Sequence, residues 1–416
     1  MVRKHDCLVL GAGMVGVSTA LKLQEKGRDV VLVDRRPAGE GTSYGNAGLI
    51  QAEGVVPYML PRDVSTLFKF AINSKPQAHV HYRALLTLAP WLARYWWNSG
   101  QRGLDRGTAA HVPLAKRCVE EHEALISAAG VERLMSREGY LRVVRDTKDL
   151  EAEEREHKRL AERYGILSEV LNPDKLAELE PHLARDELVG AIHLPAPRAI
   201  SNPGALVKAY ADLFRSRGGH FITADAATLE NSGGAWQVQT VEGPVAADHA
   251  IVALGPWSAE ILRNFGVSVP LAVKRGYHMH YKARGNATLN RPVLDVDNGF
   301  VLAPMEQGIR LTTGAEFAYR DAPKTPKQLA MVEPAARTLF PLGDRVEDAP
   351  WLGARPCLPD MIPAIGPVPR NRGLWANFGH QHWGLTLGPI TGRLLAEMIT
   401  GSETVCNPTP YRLDRF

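Results

Sequence analysis

The first thirty-four residues contain a short apolar run, a glycine-rich turn and an amphipathic stretch, in that order. Residues 7–10 are apolar, and beyond the turn apolar and charged residues recur with helical spacing over residues 17–26, until Gly27 ends the pattern. A second apolar run, residues 30–33, leads directly to Asp34. Short apolar runs on either side of a 3.6-residue period predict strand, helix and strand. The segment therefore predicts one βαβ unit of about thirty residues.

The same two periods predict elements along the rest of the chain. Helical spacing predicts helices over 109–129 and 147–161, and alternation of apolar and polar residues predicts strands over 139–144, 276–281 and 309–313. Apolar runs at 250–254 and 374–378 predict two further strands, each followed by a glycine turn. Pro389 suits the first turn of a last helix, which we expect to end at Gly401. Strands from such distant segments predict an antiparallel sheet in a second domain.

The turn at residues 11–16 has the spacing of a dinucleotide fingerprint. Gly11 permits a tight turn, Gly13 lets the backbone approach a pyrophosphate, and Gly16 lets helix and strand pack closely. Met14 and Val15 begin the helix, whose free N–H groups and dipole favour phosphate. Asp34, followed by Arg35, is placed to accept hydrogen bonds from the adenosine ribose. The carboxylate disfavours NADP, but it does not distinguish NAD from FAD.

Three further segments favour FAD. Residues 41–49 are rich in glycine and small hydroxyl side chains, which suits a backbone that wraps a long ligand. Residues 250–258 predict a later βα unit that returns to the nucleotide. A third, polar segment precedes the last helix, whose N-terminus would stabilise negative charge on the N1–C2=O edge of a reduced flavin. The cofactor-binding candidates from these segments are Thr42, Ser43, Asn46, Ala47, Gly48, Leu49, Gly255, Trp257, Gly379, His380, Gly384, Leu385 and Thr386.

Composition excludes several other classes of protein. The chain has 416 residues and a net charge of only +4, with no long basic run, so we expect no nucleic-acid partner. Its four cysteines are scattered without metal-ligand spacing, so we expect neither a metal site nor a disulfide framework, and a reducing cytoplasm is the expected compartment. No stretch of about 18 uncharged apolar residues suggests a membrane span.

One segment leaves the relation to membranes open. Residues 81–97 combine leucine, tryptophan and arginine, a mixture typical of peripheral contact with a bilayer surface. Tryptophans also fill protein cores, so the alternative is that these residues form a helix packed on the second domain, which would bind the substrate. Peripheral contact would place the protein on the inner face of the cell membrane.

Together these motifs resemble the FAD-dependent D-amino acid oxidase superfamily, and within it most closely the bacterial D-amino acid dehydrogenases. Those enzymes carry Thr-Ser-x-x-Asn-Ala-Gly, Lys-x-Gly-Tyr and Gly-x-Arg-Pro-x-x-Pro-Asp-x-x-Pro-x-x-Gly. The likeness spans nearly the whole chain and is loose from about residue 100 to 190. The second and third motifs are matched here by Lys274, Arg275, Gly276, Tyr277, Gly353, Arg355, Pro356, Pro359, Asp360, Pro363 and Gly366.

The resemblance implies a function and a set of catalytic residues. It implies oxidative deamination of a D-amino acid by hydride transfer from Cα to flavin N5, followed by hydrolysis of the imino acid to a 2-oxo acid. Arg355 would bind the substrate carboxylate, unless it pairs with Asp360; Tyr277 and His382 would assist, and Gly353 would border the flavin. The electron acceptor would be a quinone, the respiratory chain or oxygen. Oxidation of a secondary amine or cyclic imino acid, a flavin subunit of a heteromeric dehydrogenase, and an NAD-dependent dehydrogenase stay open as alternatives.

The expected fold class is α/β, with a Rossmann-type FAD-binding domain interleaved with an antiparallel-sheet α+β substrate domain. We expect residues 1–80, 192–265 and 346–416 to form the FAD-binding domain. Residues 81–191 and 266–345 would form the substrate domain.

Overall fold

The structure is a computed structural model, and it describes residues 4–416. Its helices come from all parts of that range and include the two long helices that sequence periodicity predicts. They are α1 (Met14–Glu25), α2 (Val64–Ala71), α3 (Leu85–Asn98), α4 (Gln101–Ala129), α5 (Thr147–Tyr164), α6 (Pro173–Leu179), α7 (Pro203–Ser216), α8 (Ser258–Arg263), α9 (Lys327–Leu339) and α10 (Gly384–Thr400).

The strands of the same range form three sheets. In chain order they are β1 (Lys4–Leu10), β2 (Val30–Asp34), β3 (Leu49–Ile50), β4 (Ala78–Val80), β5 (Met135–Ser136), β6 (Tyr140–Val144), β7 (Glu169–Leu171), β8 (Gly190–Leu194), β9 (Arg198–Ile200), β10 (His220–Thr223), β11 (Glu230–Ser232), β12 (Ala235–Thr240), β13 (Gly243–Val252), β14 (Ala272–Ala283), β15 (Val293–Asp295), β16 (Phe300–Met305), β17 (Gly308–Thr312), β18 (Ala315–Phe317), β19 (Leu342–Arg345), β20 (Trp351–Cys357), β21 (Ala364–Pro367) and β22 (Leu374–Phe378).

The first sheet is parallel at its centre, with the neighbours β10, β2, β1, β13 and β22 all running in one direction. Its central strands are apolar runs buried on both faces, as parallel sheets require. Helix α1 packs against α10 and α7 over one face, where Val17, Leu21 and Leu394 join the main hydrophobic core. The antiparallel strands β12 and β21 extend the sheet at its margins. This Rossmann-type layer confirms the predicted fold class.

The second sheet is mostly antiparallel and follows the order β4-β18-β14-β17-β16-β15-β6-β8-β7, with β19 and β20 also paired to β14. The long strand β14 is its centre, because it pairs with four neighbours. Helix α9 packs across β14, β16 and β17 and closes a separate core around Met279, Leu311 and Phe340. A small third sheet of β3, β9 and β5 lies where the chain passes between the two larger ones.

The two large sheets divide the chain at places that differ from the expected boundaries. Strands β4, β8 and β20 belong to the second sheet, although residues 78–80, 192–194 and 351–357 were expected in the FAD-binding domain. Strand β20 pairs with β14 over seven residues, so its backbone hydrogen bonds fix its membership. Backbone pairing therefore places β20, with Arg355, in the second sheet.

The last helix begins earlier than its sequence predicts. Pro389, expected in the first turn, lies inside α10, which starts at Gly384. A proline inside a helix removes the N–H that would bond to the carbonyl four residues earlier. Here that carbonyl, on Leu385, accepts a hydrogen bond of 2.8 Å from Nε2 of His122 on α4. The side chain of a distant residue thus supplies the donor that the proline lacks.

Among residues 4–416, no helix is long and apolar enough to cross a membrane.

Candidate cofactor and substrate site

The glycine turn after β1 is held in a shape that only glycine fits at two of its three positions. Gly11 has φ +109°, and a Cβ there would lie 2.5 Å from the carbonyl oxygen of Ala253. A Cβ on Gly16 would lie 1.7 Å from the carbonyl oxygen of Gly11. Gly13 is different, since a Cβ there would meet only Ser43 Oγ, at 3.4 Å. The protein backbone therefore excludes a side chain at the first and third glycines. A side chain at the second glycine would instead occupy the open space beside the turn.

The side chain of Asp34 is tied to the same turn. Its Oδ2 accepts a hydrogen bond of 2.8 Å from the backbone N–H of Ala12, and its Oδ1 accepts one of 3.0 Å from the N–H of Arg36. Nearby, Ser43 Oγ accepts from the N–H of Met14 at 3.0 Å, which joins the loop of residues 41–49 to the start of α1. These contacts hold the carboxylate at the carboxyl end of β2, where the ribose of a bound dinucleotide would lie.

One cavity of about 830 Å³ runs from this turn to the second sheet. At one end it is lined by Asp34 and Trp257, and at the other by Arg355 and His382. All but three of the residues predicted from sequence line it. The lining set is Gly11, Gly13, Met14, Val15, Asp34, Arg35, Thr42, Ser43, Asn46, Ala47, Leu49, Gly255, Trp257, Gly353, Gly379, His380, Gly384, Leu385, Arg355, Tyr277 and His382.

The three remaining candidates, Gly16, Gly48 and Thr386, lie behind the wall and support it. Gly48 has φ +74°, and a Cβ there would lie 2.2 Å from the carbonyl oxygen of Ile200. Thr386 Oγ1 donates to the carbonyl oxygen of Leu49 and accepts from the N–H of Gln51. It therefore joins the first turn of α10 to the strand β3.

Several buried polar atoms of the wall have no hydrogen-bond partner within residues 4–416. They are Nε of Arg36, Oε1 of Gln77, Oδ1 of Asn377, Nδ1 of His382 and both amide atoms of Gln381. Buried polar groups are nearly always satisfied, so these atoms indicate a polar ligand in the cavity. FAD fits the cavity, because the adenosine half would lie along Gly13 and Asp34, and the flavin between Leu49, Gly353 and the start of α10. The free N–H groups and dipole at that helix start suit an electron-rich ring edge.

Arg355 on β20 is the residue that we expect from the sequence to bind the substrate carboxylate. Its guanidinium donates only to backbone carbonyls: to Gly314 at 3.0 Å, and to Arg275 and Thr313 at 3.4 Å. The alternative partner Asp360 is paired with Arg415 instead, at 2.8 Å. No carboxylate oxygen of residues 4–416 lies within 4.0 Å of Arg355. Burial lowers the pKa of its guanidinium from the usual value, as expected for a cation without a counter-ion.

Two other buried arginines of the second sheet, Arg275 and Arg310, have partners within the protein. Arg275 is completely buried and donates to Glu316 at 2.6 Å. Arg310 donates to His280 and to the carbonyl oxygens of Tyr44 and Asn46, so it fixes the loop that holds the nucleotide. Of Arg275, Arg310 and Arg355, only Arg355 lines the cavity.

A glycine makes room for the Arg355 side chain. Gly276 of β14 pairs directly with Gly353, beside Arg355. A Cβ on Gly276 would lie 2.6–2.8 Å from three guanidinium atoms of Arg355. The guanidinium thus packs flat on the backbone of β14, and this contact sets the direction in which it points.

Tyr277, expected to help hold the substrate, has its hydroxyl in a different place. The hydroxyl donates to Glu316 and accepts from the N–H of Thr325 at 2.8 Å, within a buried network that includes Arg275. Successive side chains of a strand face opposite sides of the sheet. Tyr277 therefore points its hydroxyl away from the face that carries Arg355, and we do not assign it a substrate contact.

The two histidines before α10 lie in different surroundings. His380 Nε2 bonds to Thr391 Oγ1 at 3.0 Å, which anchors the loop to the helix, and burial lowers its pKa to about 3. His382 packs edge-on against Tyr58, and its pKa is held well below 6.5 by burial and by the nearby charges of Arg355 and Lys274. Both rings are consequently neutral at physiological pH. Nδ1 of His382 is buried and has no hydrogen-bond partner within residues 4–416.

Sequence reasoning missed several residues of the substrate end. Lys274, Tyr95 and Gln381 line the cavity there, as do Thr66 and Phe70 on the inner face of α2. Gln381 adopts φ +55°, a left-handed conformation that is uncommon outside glycine. Lys274 stands in one of the motifs, but its burial depends on helix α3, which no pattern placed beside β14.

A parallel nucleotide-binding sheet, a second, mostly antiparallel sheet and one cavity lined by both are typical of an enzyme that carries a dinucleotide cofactor. Comparison with known proteins gives the family. The family model described as FAD dependent oxidoreductase matches residues 6–398. The chain therefore belongs to the FAD dependent oxidoreductase family, and FAD is its cofactor.

Similar proteins cover the whole chain. A D-amino-acid oxidase of Bradyrhizobium diazoefficiens is 29% identical over 418 residues, which is 98% of each chain. A D-amino acid dehydrogenase of a Methylobacterium species is 30% identical over 404 residues, or 95% of each. Among solved structures, glycine oxidase from Geobacillus kaustophilus superposes with a TM-score of 0.74, at 23% identity and 99% coverage of both chains. This last likeness supports the fold.

Proposed function

We propose that this protein oxidises the Cα–N bond of a D-amino acid. The observation that carries the proposal is Arg355, a cation without a counter-ion among residues 4–416 that lines the cavity opposite the nucleotide end. An amino acid anion entering such a cavity must be paired, because an unpaired buried charge is very costly. The planar guanidinium fork matches a carboxylate. The names of the similar proteins favour the D configuration.

The residues of the chain mainly bind and orient the substrate. Bound FAD would supply, at N5, the acceptor for the hydride from the substrate Cα. Arg355 fixes the carboxylate, and a fixed carboxylate leaves few orientations for the Cα–H bond. Because His382 is neutral, it can form a hydrogen bond with the substrate or with the flavin edge without adding charge. The amino group gives up its proton to solvent before transfer, and water then hydrolyses the imino acid to a 2-oxo acid and ammonia.

Anaerobic bleaching of the flavin tests this proposal directly. The purified chain is mixed with D- and L-amino acids, with sarcosine and with D-proline, and flavin absorbance is followed. We expect bleaching by primary D-amino acids. Bleaching confined to sarcosine or D-proline would instead indicate a secondary-amine enzyme. A chain that holds FAD but reduces no dye with any substrate until a partner is added would indicate a subunit of a heteromeric dehydrogenase.

We also propose that the protein contacts the cytoplasmic face of the membrane through one surface. Hydrogen bonds join the segments that flank helices α2 and α3: Arg62, before α2, donates to the carbonyl oxygen of Trp96, and Tyr82, before α3, donates to that of Ala71. Over residues 58–104 the chain has six basic residues and one acidic residue, which suits anionic lipid. We name the exposed apolar set on these helices the α2–α3 surface: Val64, Phe68, Ile72, Leu86, Trp96 and Trp97.

The α2–α3 surface is continuous with the substrate end of the site. The inner face of α2, with Thr66 and Phe70, lines the cavity, and Trp91 and Tyr95 of α3 are buried beneath. A membrane-borne electron acceptor such as a quinone would therefore meet the protein near the flavin. The position of the surface does not distinguish a quinone from another respiratory carrier or from oxygen. Measuring how fast each of them reoxidises the reduced flavin identifies the acceptor.

A further inference from the structure

Two cations stand side by side at the substrate end of the cavity. Lys274 of β14 and Arg355 of β20 are directly opposite each other in an antiparallel register. Side chains so opposed share one face of the sheet, with Cβ atoms about 4.5–5.5 Å apart. Both residues line the cavity. Like charges in this arrangement destabilise a sheet unless something neutralises them.

Neither cation has an anionic partner in the protein. The ammonium of Lys274 donates to the hydroxyl of Tyr95 at 2.7 Å and, more weakly, to Sδ of Met361 at 4.0 Å. It also lies 4.0 Å from the ring centre of Tyr95. Within residues 4–416, no carboxylate oxygen lies within 4.0 Å of either Lys274 or Arg355. The neighbouring thiol of Cys357 stays neutral, because burial raises its pKa.

Another buried lysine, Lys22, has the carboxylate partner that Lys274 lacks. Lys22 is 9% exposed, and its ammonium pairs with Glu121 at 2.8 Å. Lys274 is only 3% exposed and has no such partner. Arg275, the neighbour of Lys274 on the other face of β14, pairs with Glu316. The fold thus supplies carboxylates to buried cations elsewhere, and at the cavity it leaves two cations for the ligand.

We propose that the preferred substrates are amino acids with two carboxylates, of which Arg355 binds the one on Cα and Lys274 binds the second. The second carboxylate is carried by the side chain, as in D-glutamate and D-aspartate, or by a substituent on nitrogen, as in an N-carboxymethyl amino acid. This inference rests on the proposed function and narrows its substrate class. Each substrate carboxylate replaces a missing counter-ion, so binding removes the repulsion between the two residues.

The charge state of Lys274 is consistent with this role. Burial, and to a lesser extent Arg355, lowers the pKa of its ammonium to about 8. The titratable groups around it are Tyr95, whose pKa burial raises, Cys357, and His382, which is neutral. Lys274 is therefore the group that changes charge near pH 8. We expect KM for a dicarboxylate to rise above that pH more steeply than KM for its monoamide.

Matched acid and amide pairs test the inference. The rate of anaerobic flavin reduction is measured for D-glutamate against D-glutamine, for D-aspartate against D-asparagine, and for iminodiacetate against sarcosine. The members of the first two pairs have nearly the same shape, so their ratio reports the second charge. In at least one pair, we expect kcat/KM for the dicarboxylate to exceed that for the substrate with one carboxylate by at least about tenfold, a size typical of a buried charge pair. The pair that responds shows whether the second carboxylate is on the side chain or on nitrogen.

The variant Lys274→Met should reduce this ratio to about one or below, through KM rather than kcat. Lys282→Met removes an exposed lysine from the same strand and should leave the ratio as in the unmodified protein. Should Lys274→Met fail to fold with FAD, the ratios of the unmodified protein decide alone.

Two outcomes overturn the inference while the proposed function stands. One is equal rates or a preference for the substrate with one carboxylate in all three pairs, together with flavin reduction by neutral D-amino acids. The other is an acid preference that persists in Lys274→Met while only reoxidation by oxygen slows, which would place Lys274 at the flavin. Absence of flavin reduction by any amino acid would contradict the proposed function itself.

Discussion

The Nε2 atom of His122 lies 2.8 Å from the carbonyl oxygen of Leu385, where the N–H of residue 389 would donate in an uninterrupted helix. Residue 389 is proline, so the imidazole takes the place of the missing backbone donor. The other ring nitrogen of His122 bonds to the hydroxyl of Tyr210 at 3.0 Å. The two hydrogen bonds of the His122 ring therefore join α4 to α7 and to the start of α10. That end of α10 lines the cofactor cavity.

Replacing His122 and Pro389 together should show this substitution of donors. In His122→Leu the carbonyl of Leu385 loses its partner, and we expect the free energy of unfolding to fall by about 1–3 kcal/mol. Adding Pro389→Ala restores a backbone N–H at the same carbonyl and should recover about 1 kcal/mol. Urea unfolding followed by circular dichroism measures both. Pro334→Ala, inside α9, is the control, and equal rescue by it would contradict the assignment.

The stability of the fold should depend on pH through His122. Burial lowers its pKa to about 4, whereas an unfolded histidine titrates near 6.5. Between these values the unfolded state binds more protons, so the free energy of unfolding falls as pH decreases from about 6.5 to about 4. The loss from His122 alone is about 2 kcal/mol at pH 5. Unfolding at pH 7.5 and pH 5 should show a smaller loss in His122→Gln, and the same loss as the unmodified protein in the exposed His182→Gln.

Gly13→Val should give a folded protein without flavin. A Cβ at residue 13 meets only Ser43 Oγ, so the chain tolerates the change, but the valine occupies space beside the pyrophosphate. Absorbance at the flavin bands, with circular dichroism as a check on folding, measures the outcome. Gly16→Ala offers a contrast, because its Cβ would collide with the Gly11 carbonyl and should disturb the fold itself. Normal flavin content in folded Gly13→Val would refute the nucleotide assignment.

Arg355→Lys should retain FAD and lose catalytic efficiency. Lysine keeps the charge but not the two-pronged geometry, and we expect kcat/KM to fall by an amount equivalent to about 2–5 kcal/mol of transition-state binding. Gly276→Ala should act in the same direction without changing any charge, because its Cβ would displace the Arg355 guanidinium. Steady-state kinetics with flavin content as reference measures both variants. Near-normal kcat/KM in Arg355→Lys would show that another group binds the carboxylate.

Binding to anionic lipid vesicles should depend on the α2–α3 surface. Leu86 and Trp97 are 90% and 78% exposed, so replacing both with serine should leave the fold intact and reduce flotation with the vesicles. Raising the salt concentration should weaken flotation too, since part of the attraction is electrostatic. Leu167→Ser, at an apolar residue 68% exposed on another part of the protein, is the control. No flotation of the unmodified protein would rule out the peripheral contact.

Local signals predict the residues that the structure brings together around the glycine turn. The glycine turn, Ser43 and Asp34 lie within some thirty residues, and their contacts are those that the βαβ pattern implies. The strand at 374–378 likewise has the predicted bounds. Such features depend on residues close together in the sequence, so the pattern of apolar and polar residues can predict them.

The substrate half depends on partners far apart in the chain. Lys274 meets Arg355 only because β14 pairs with β20, and the start of α10 depends on His122, 263 residues before Leu385. Tyr277 had the right residue type, but the register put its hydroxyl beside Glu316. No period or spacing in a single sequence contains these pairings, so they had to come from the structure.

The chain passes between the two large sheets four times: after β2, after β8, after β13 and after β20. Neither sheet is therefore encoded by one continuous stretch of the gene, and a single recombination event cannot give this protein the substrate-binding layer of a relative. A change in what the enzyme accepts must instead accumulate as point mutations on strands such as β14 and β20, while the nucleotide layer around them stays in place. Diversification by substitution rather than by exchange of domains is built into such an interleaved chain.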